Sequence, residues 1–209
     1  AKAPRCVSLP CCHGPRGDAP STSAVLQEQV QRRDSRRDQR RQLAPWQIIL
    51  LVDESGSMLD SVIHAAVLAA CLFGLPGVKT HLCIFDTQVV DLTPLVTDPV
   101  ETLMKIQLGG GTDIGQAVAY AAQLVTQPSR TIVVLITDFF EGGDPAVLVR
   151  RVHELLAQGV HVLGLAALDA QANPAYNRTL AQELVEVGAH VGAMTPGELV
   201  NFLVEKVKA

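Results

Sequence analysis

From Trp46 onward the chain alternates between two kinds of apolar pattern. Unbroken aliphatic runs, "WQIILLVD" (46–53), "KTHLCIF" (79–85), "TIVVLITD" (131–138) and "VHVLGLAAL" (160–168), show no polar alternation. A strand with one wet face would alternate, so these runs predict parallel strands covered on both sides. Between and after them lie stretches of helical character at 58–73, 113–125, 146–158, 176–187 and 196–207. Crossovers between parallel strands are right-handed, which distributes the helices over both faces of one sheet. The run "DTQVVDLT" (86–93) follows its neighbouring strand too closely for a crossover helix, and so predicts an antiparallel edge hairpin. The pattern as a whole predicts a doubly wound α/β domain over residues 46–209, with a mostly parallel, Rossmann-like sheet and one antiparallel edge strand.

Residues 1–45 follow a different pattern. The first 24 mix Pro, Gly, Ser and Cys without period, and "VLQEQVQRRDSRRDQRRQ" (25–42) is helix-compatible but has almost no apolar stripe. This part is expected to be an irregular to helical, Arg-rich lead-in or linker. It holds nine Lys/Arg against four Asp/Glu, which leaves eight against seventeen for the rest of the chain. An acidic body lacks the basic footprint that phosphate binding needs, so no nucleic-acid surface is expected on it. The 209 residues, 48% hydrophobic, supply one full-sized core. Five irregularly spaced cysteines give no disulfide framework and point to a reducing compartment. No apolar run is long enough to span a bilayer, and the N-terminal residues lack the order of a secretory signal. The expectation is a cytoplasmic protein without a membrane span; the missing initiator Met points to a processed or partial chain.

Three polar groups fall at or beside the expected carboxyl ends of strands, where open α/β sheets bind ligands. They are Asp53, Ser55 and Ser57 in "DESGS", Thr112 in "GGGTDIG" (109–115), and Asp138 in "TDFFEGGD" (137–144). In an extended turn residues i, i+2 and i+4 project to one side, so the first three side chains can aim at one point, with Gly56 expected to permit the bend. Any one of these residues alone serves equally well as a helix cap. Together they form an all-oxygen donor set, which selects a hard cation, Mg²⁺ with Mn²⁺ or Ca²⁺ as substitutes, over Zn²⁺ or Cu²⁺.

"DESGS" (53–57), "GGGTD" (109–113) and "LITD" (135–138) resemble the three parts of the metal-ion-dependent adhesion site of von Willebrand factor A (VWA) domains. The resemblance runs from about Trp46 to the C-terminus. It implies hydroxyl ligands from Ser55, Ser57 and Thr112, with Asp53 and Asp138 binding directly or through water. It also implies a coordination position left for an Asp or Glu carboxylate of a protein partner. With "TDFFEGGDP" the chain is similar to bacterial CoxE-like and ViaA-like A domains that act beside MoxR-type AAA+ ATPases, which makes such an ATPase the expected partner.

The remaining candidates have plainer readings. Asp144 before Pro145 reads as a helix N-cap, and Asp113 as another with support of the metal site as the alternative. Glu54, Asp113, Glu141 and Asp144 would form an acidic rim. Phe139 and Phe140 either dock a partner beside the metal or pack under their loop. Single histidines (His64, His81, His153, His161 and His190) lack ligand spacing, and Cys71 and Cys83 read as buried thiols. Cys6, Cys11, Cys12 and His13 cluster without a second C-x-x-C. A haloacid-dehalogenase-type phosphatase would need D-x-D-x-T, but position 55 is Ser. The phosphate-loop, dinucleotide-fold and nucleophile-elbow patterns are also missing. A binding module is therefore expected, with no catalytic residues, and a Mg²⁺-dependent phosphatase is the alternative.

Overall fold

The computed structural model describes residues 45–208, apart from 74, 76, 96–97, 107–109 and 167–175. The lead-in read over 1–45, its Cys/His cluster, and Gly109 therefore lie outside the described residues, save Pro45. Strand β1 (Trp46–Asp53) is followed by a 3₁₀ segment (Gly56–Ser61) and helix α1 (Val62–Phe73). Strands β2 (Val78–Phe85) and β3 (Val89–Asp91) precede helices α2 (Pro99–Lys105) and α3 (Ile114–Leu124). Then come β4 (Thr131–Thr137), α4 (Pro145–Ala157), β5 (His161–Ala166), α5 (Arg178–Glu186), β6 (His190–Gly192) and α6 (Pro196–Lys208).

The six strands run in the order β3-β2-β1-β4-β5-β6, and only β3 is antiparallel to its neighbour. The tight connection after β2 does produce the edge hairpin that the sequence predicts, with Phe85 opposite Val89. The chain builds outward from β1 to β3 and then returns to the other side of β1 with β4. The order therefore reverses between β1 and β4, which places the crevice of a doubly wound sheet at the ends of those two strands.

Alternation along each strand feeds two cores. Ile48, Leu50 and Val52 of β1, with Ile132, Val134 and Ile136 of β4, pack with Leu68 and Leu72 of α1 and Leu199 and Leu203 of α6. Ile49, Leu51, Val133 and Leu135 pack on the opposite face with Val118, Leu148, Val152 and Leu180. Burial of each such side chain contributes roughly 1.5–3 kcal/mol, so the double layer holds the strand ends firmly in place.

Three elements differ from the sequence expectation. The helix expected from Met58 begins as a 3₁₀ segment, because the Met58 N–H donates to Ser55 O at 3.0 Å and tightens the first turn. Helix α2 is not evident from periodicity, since it has seven residues and one fully buried position, Leu103. It is specified instead by Asp98, whose carboxylate accepts the N–H groups of Val100 and Glu101, and by Pro99 at its first turn. Strand β6 has three residues and is set by pairing Leu163 with His190 rather than by an aliphatic run.

Candidate metal centre

At the end of β1 the backbone stays paired with β2 for one residue more, through Glu54 N–H to Phe85 O at 2.9 Å. Asp53 is buried, and its Oδ1 accepts the Ser55 N–H at 2.9 Å, which folds the chain back beneath the first serine. The Ser55 and Ser57 hydroxyl oxygens then lie 3.1 Å apart. The bend does not depend on Gly56, contrary to the sequence expectation. Its φ is not in the left-handed region, and a Cβ there would meet nothing within 4 Å. The 3₁₀ turn itself brings the serines together.

The loop bearing Thr112 is held on both sides. Asp113 N–H donates to Asp86 O at the end of β2, and Thr112 O accepts Gly142 N–H from the loop after β4, both at 2.8 Å. One glycine is required here by close approach. A Cβ on Gly142 would stand 2.5 Å from the backbone Thr112 O, whereas one on Gly110 would meet only the end of the Asp86 side chain. Thr112 is buried by this clamp, and Asp113 caps α3 by accepting the Gln116 N–H at 2.7 Å.

β1 and β4 are in register with Val52 beside Ile136, so the next residues, Asp53 and Thr137, are neighbours as well. The fully buried Thr137 hydroxyl donates to Asp53 Oδ2 at 2.5 Å and accepts the Phe139 N–H at 3.1 Å. Asp138 is buried, accepts the Phe140 N–H through Oδ1 at 3.1 Å, and offers its carbonyl to Asn177 N–H at 2.9 Å. The two phenylalanines differ, and only the first packs under the loop. Phe139 takes a left-handed backbone, φ 59°, and its ring is fully buried; a Cβ on Gly164 would come within 2.8 Å of it. Phe140 is exposed.

Of the five residues singled out, Asp53 and Asp138 are joined through charge, Ser55 and Ser57 by direct contact, and Thr112 through the backbone of its loop. Burial raises the Asp53 carboxyl above its ordinary value, hydrogen bonds from Thr137 and Ser55 oppose this, and the charge of Asp138 adds to it. Glu54 is pushed up to about 7, by burial first and the Asp53 charge second, and its Oε1 has no hydrogen-bond partner. Among the described residues no basic side chain pairs with Asp53 or Asp138; the ion pairs present, Lys105–Glu101 and Arg150–Glu154, lie on exposed helix surface. Nor do three His, Cys, Asp or Glu side chains cluster as metal ligands among those residues. The five residues offer two buried carboxyl groups and three hydroxyls, a set whose chemistry and charge would suit a hard divalent cation.

Thr137 and the burial of Glu54 are not anticipated from the sequence. Thr137 precedes Asp138 at a strand end, and in-register pairing with β1 would have placed it beside Asp53. Asp144 caps α4 as expected, accepting the Ala146 N–H at 2.9 Å.

The profile of the family described as VWA domain containing CoxE-like protein matches residues 13–203. The chain belongs to that family. This CoxE-like chain is also 56% identical over 170 residues to the uncharacterized protein YehP of Escherichia coli (strain K12). That match covers 81% of the chain and 45% of YehP, so the chain spans less than half the length of this relative. An aerotolerance-related membrane protein from Bacteroides fragilis NCTC 9343 superposes on the CoxE-like fold with a TM-score of 0.61 at 18% identity, over 78% of this chain and 98% of that one. A von Willebrand factor type A structure from Catenulispora acidiphila does so with a TM-score of 0.58 at 18% identity, over 78% and 42%. At these identities the likeness concerns the fold. Among the described residues no helix of the CoxE-like chain is long and apolar enough to cross a membrane.

Proposed function

We propose that the chain is a metal-ion-dependent protein-binding module, in which Asp53, Ser55, Ser57, Thr112 and Asp138 hold Mg²⁺, or Mn²⁺ or Ca²⁺ in its place. The observation that carries this reading is the pair of buried carboxyl groups at neighbouring strand ends, Asp53 closing β1 and Asp138 just past β4, with no basic partner among the described residues. Burying like charges is costly unless a counter-charge is supplied, and a divalent cation supplies one that two carboxylates balance. Neutral hydroxyls complete such a donor set without quenching the ion's attraction for a further anion. The cation's role is to accept an Asp or Glu carboxylate of a protein partner. The chain's own role is to hold the donors still: Thr137 fixes the Asp53 carboxylate, and the clamp on Thr112 fixes the second loop.

Membership of the CoxE-like family supports a protein-interaction role. The partner proposed for it is a MoxR-type AAA+ ATPase, with the chain acting in the cytoplasm as an adaptor rather than as an enzyme. A divalent ion that binds only the folded chain must raise its melting temperature, by about 2.7 kcal/mol of added stability at a hundredfold excess over Kd. Thermal melts of the purified chain with Mg²⁺ or EDTA test this, and Asp53→Ala and Thr112→Ala are expected to abolish the difference. Capture of a purified MoxR-type ATPase should then require Mg²⁺. Equal melts with and without the ion would remove the metal from the reading; capture that persists in EDTA would remove it from the interaction.

A further inference from the structure

We infer that Phe140 is a specificity-determining residue of the docking site, an apolar anchor for a side chain that flanks the partner's bridging carboxylate. The inference rests on the metal-dependent docking proposed above. Among the described residues Phe140 is the one aromatic side chain that the fold leaves broadly open, at 53% exposure. It follows directly on Asp138, whose Oδ1 accepts its backbone N–H, so the ring and the site share one short loop.

That loop is braced at nearly every residue. Phe139 sits in a left-handed conformation that bulky residues rarely adopt, held there by a buried ring that meets Tyr176 edge-on at 6.2 Å and needs Gly164 beneath it. Asp138 O is tied to Asn177, Gly142 N–H to Thr112 O, and the Glu141 carboxylate accepts the N–H groups of Gly115 and Gly143. The strained, fully packed residue thus turns its successor outward. Exposing a phenylalanine contributes nothing to the core, whereas an aromatic ring on a rigid backbone meets a partner with little loss of conformational freedom.

The neighbouring charges define the occupant. The Asp113 carboxylate acts on Glu141, which is in the same loop as Phe140; Asp144 ends that loop, and the guanidinium of Arg151 reaches Gly115 beside Asp113. A run of acids approaching the cation would meet this rim and be repelled. The fitting partner is a protein segment with a single Asp or Glu beside an apolar residue, its other neighbours neutral or basic.

The test uses the 209-residue chain, calorimetry with MgCl₂, and a panel of nonapeptides that each carry one central Asp or Glu flanked by apolar, neutral or further acidic residues. In Mg²⁺ the wild type should favour the apolar-flanked peptides. Phe140→Ala should weaken them roughly thirtyfold, as expected for loss of an aromatic anchor, and erase the preference. Mg²⁺ affinity should stay within about twofold, and Phe140→Leu should keep most of the binding. An unchanged profile for Phe140→Ala, no preference in the wild type, or no peptide binding by a chain that does bind Mg²⁺ would overturn the inference. If the wild type binds no Mg²⁺, the metal reading itself fails and takes this inference with it.

Discussion

The two ends of β1 carry buried polar side chains of nearly equal burial and opposite character. At its start Gln47 is 2% exposed, and its amide is bonded through both oxygen and nitrogen. Nε2 donates to Leu124 O, and Oε1 accepts from Thr126 N–H and the Thr126 hydroxyl, at 2.8–3.1 Å. At its end Asp53 is also 2% exposed, yet it is a carboxyl whose pKa is raised by burial and, to a smaller extent, by Asp138, and it adjoins a glutamate with an orphaned oxygen. A neutral group bonded through both its oxygen and its nitrogen ties the end of α3 to the sheet. A buried carboxyl supported by hydrogen bonds but with no basic partner among the described residues is costly to the folded chain, a cost that the proposed cation would offset. Burial alone therefore does not mark a site; uncompensated burial does.

Gln47→Leu should break the first end with the largest effect. It leaves Leu124 O, Thr126 N–H and the Thr126 hydroxyl to find other partners, and a loss of about 3 kcal/mol is expected in urea melts. Because this end plays no part in cation binding, the loss should be the same in Mg²⁺ and in EDTA. Asp53→Asn should act with the opposite sign at the other end. Without cation the variant should gain roughly 1–2 kcal/mol, since a buried like charge is removed and the amide can still bond Thr137 and Ser55. In Mg²⁺ it should fall behind the wild type, because the ion no longer stabilises it. A wild-type chain that is more stable than Asp53→Asn in EDTA would remove the contrast between the two ends.

Much of this was open to reading in the sequence, for physical reasons. The aliphatic runs of β1, β2, β4 and β5 report burial on both faces directly, and the spacing of Asp53, Ser55 and Ser57 is local to one turn. The glycine at 110 marks a close approach without naming its target, which the fold shows to be the Asp86 side chain. What depends on register was hidden: Thr137 acquires its role only when β4 lies beside β1 in step, and Glu54 becomes buried only because the chain stays paired with β2 past the end of the run. Phe139 and Phe140 are alike as letters, and the left-handed turn at the first separates a core ring from an open one. Short elements such as α2 and β6 carry too few residues for a period, and tertiary pairing defines them.

His81 supplies an intermediate case and the smallest effect. It lies in β2 beside Ile49, at the middle of β1, and neither ring nitrogen has a hydrogen-bond partner. Burial lowers its pKa, Lys79 adds to the shift, and Asp91 opposes it. A histidine lowered in the folded chain favours the neutral ring, so its contribution is fully present above the unfolded pKa near 6.5 and is lost as pH falls through the lower folded value. Urea melts between pH 7.5 and about 5 should therefore show the wild type losing more stability than His81→Phe, with the two curves parallel above about pH 7. His64, His161 and His190 are lowered mainly by burial as well, so an acid-side slope, reduced by the contribution of His81, should persist in the variant. If His81→Phe leaves the slope unchanged, the ring finds water or a partner on protonation. A buried neutral group without partners would then be as well compensated as Gln47, and the distinction between the ends of β1 would rest on charge alone.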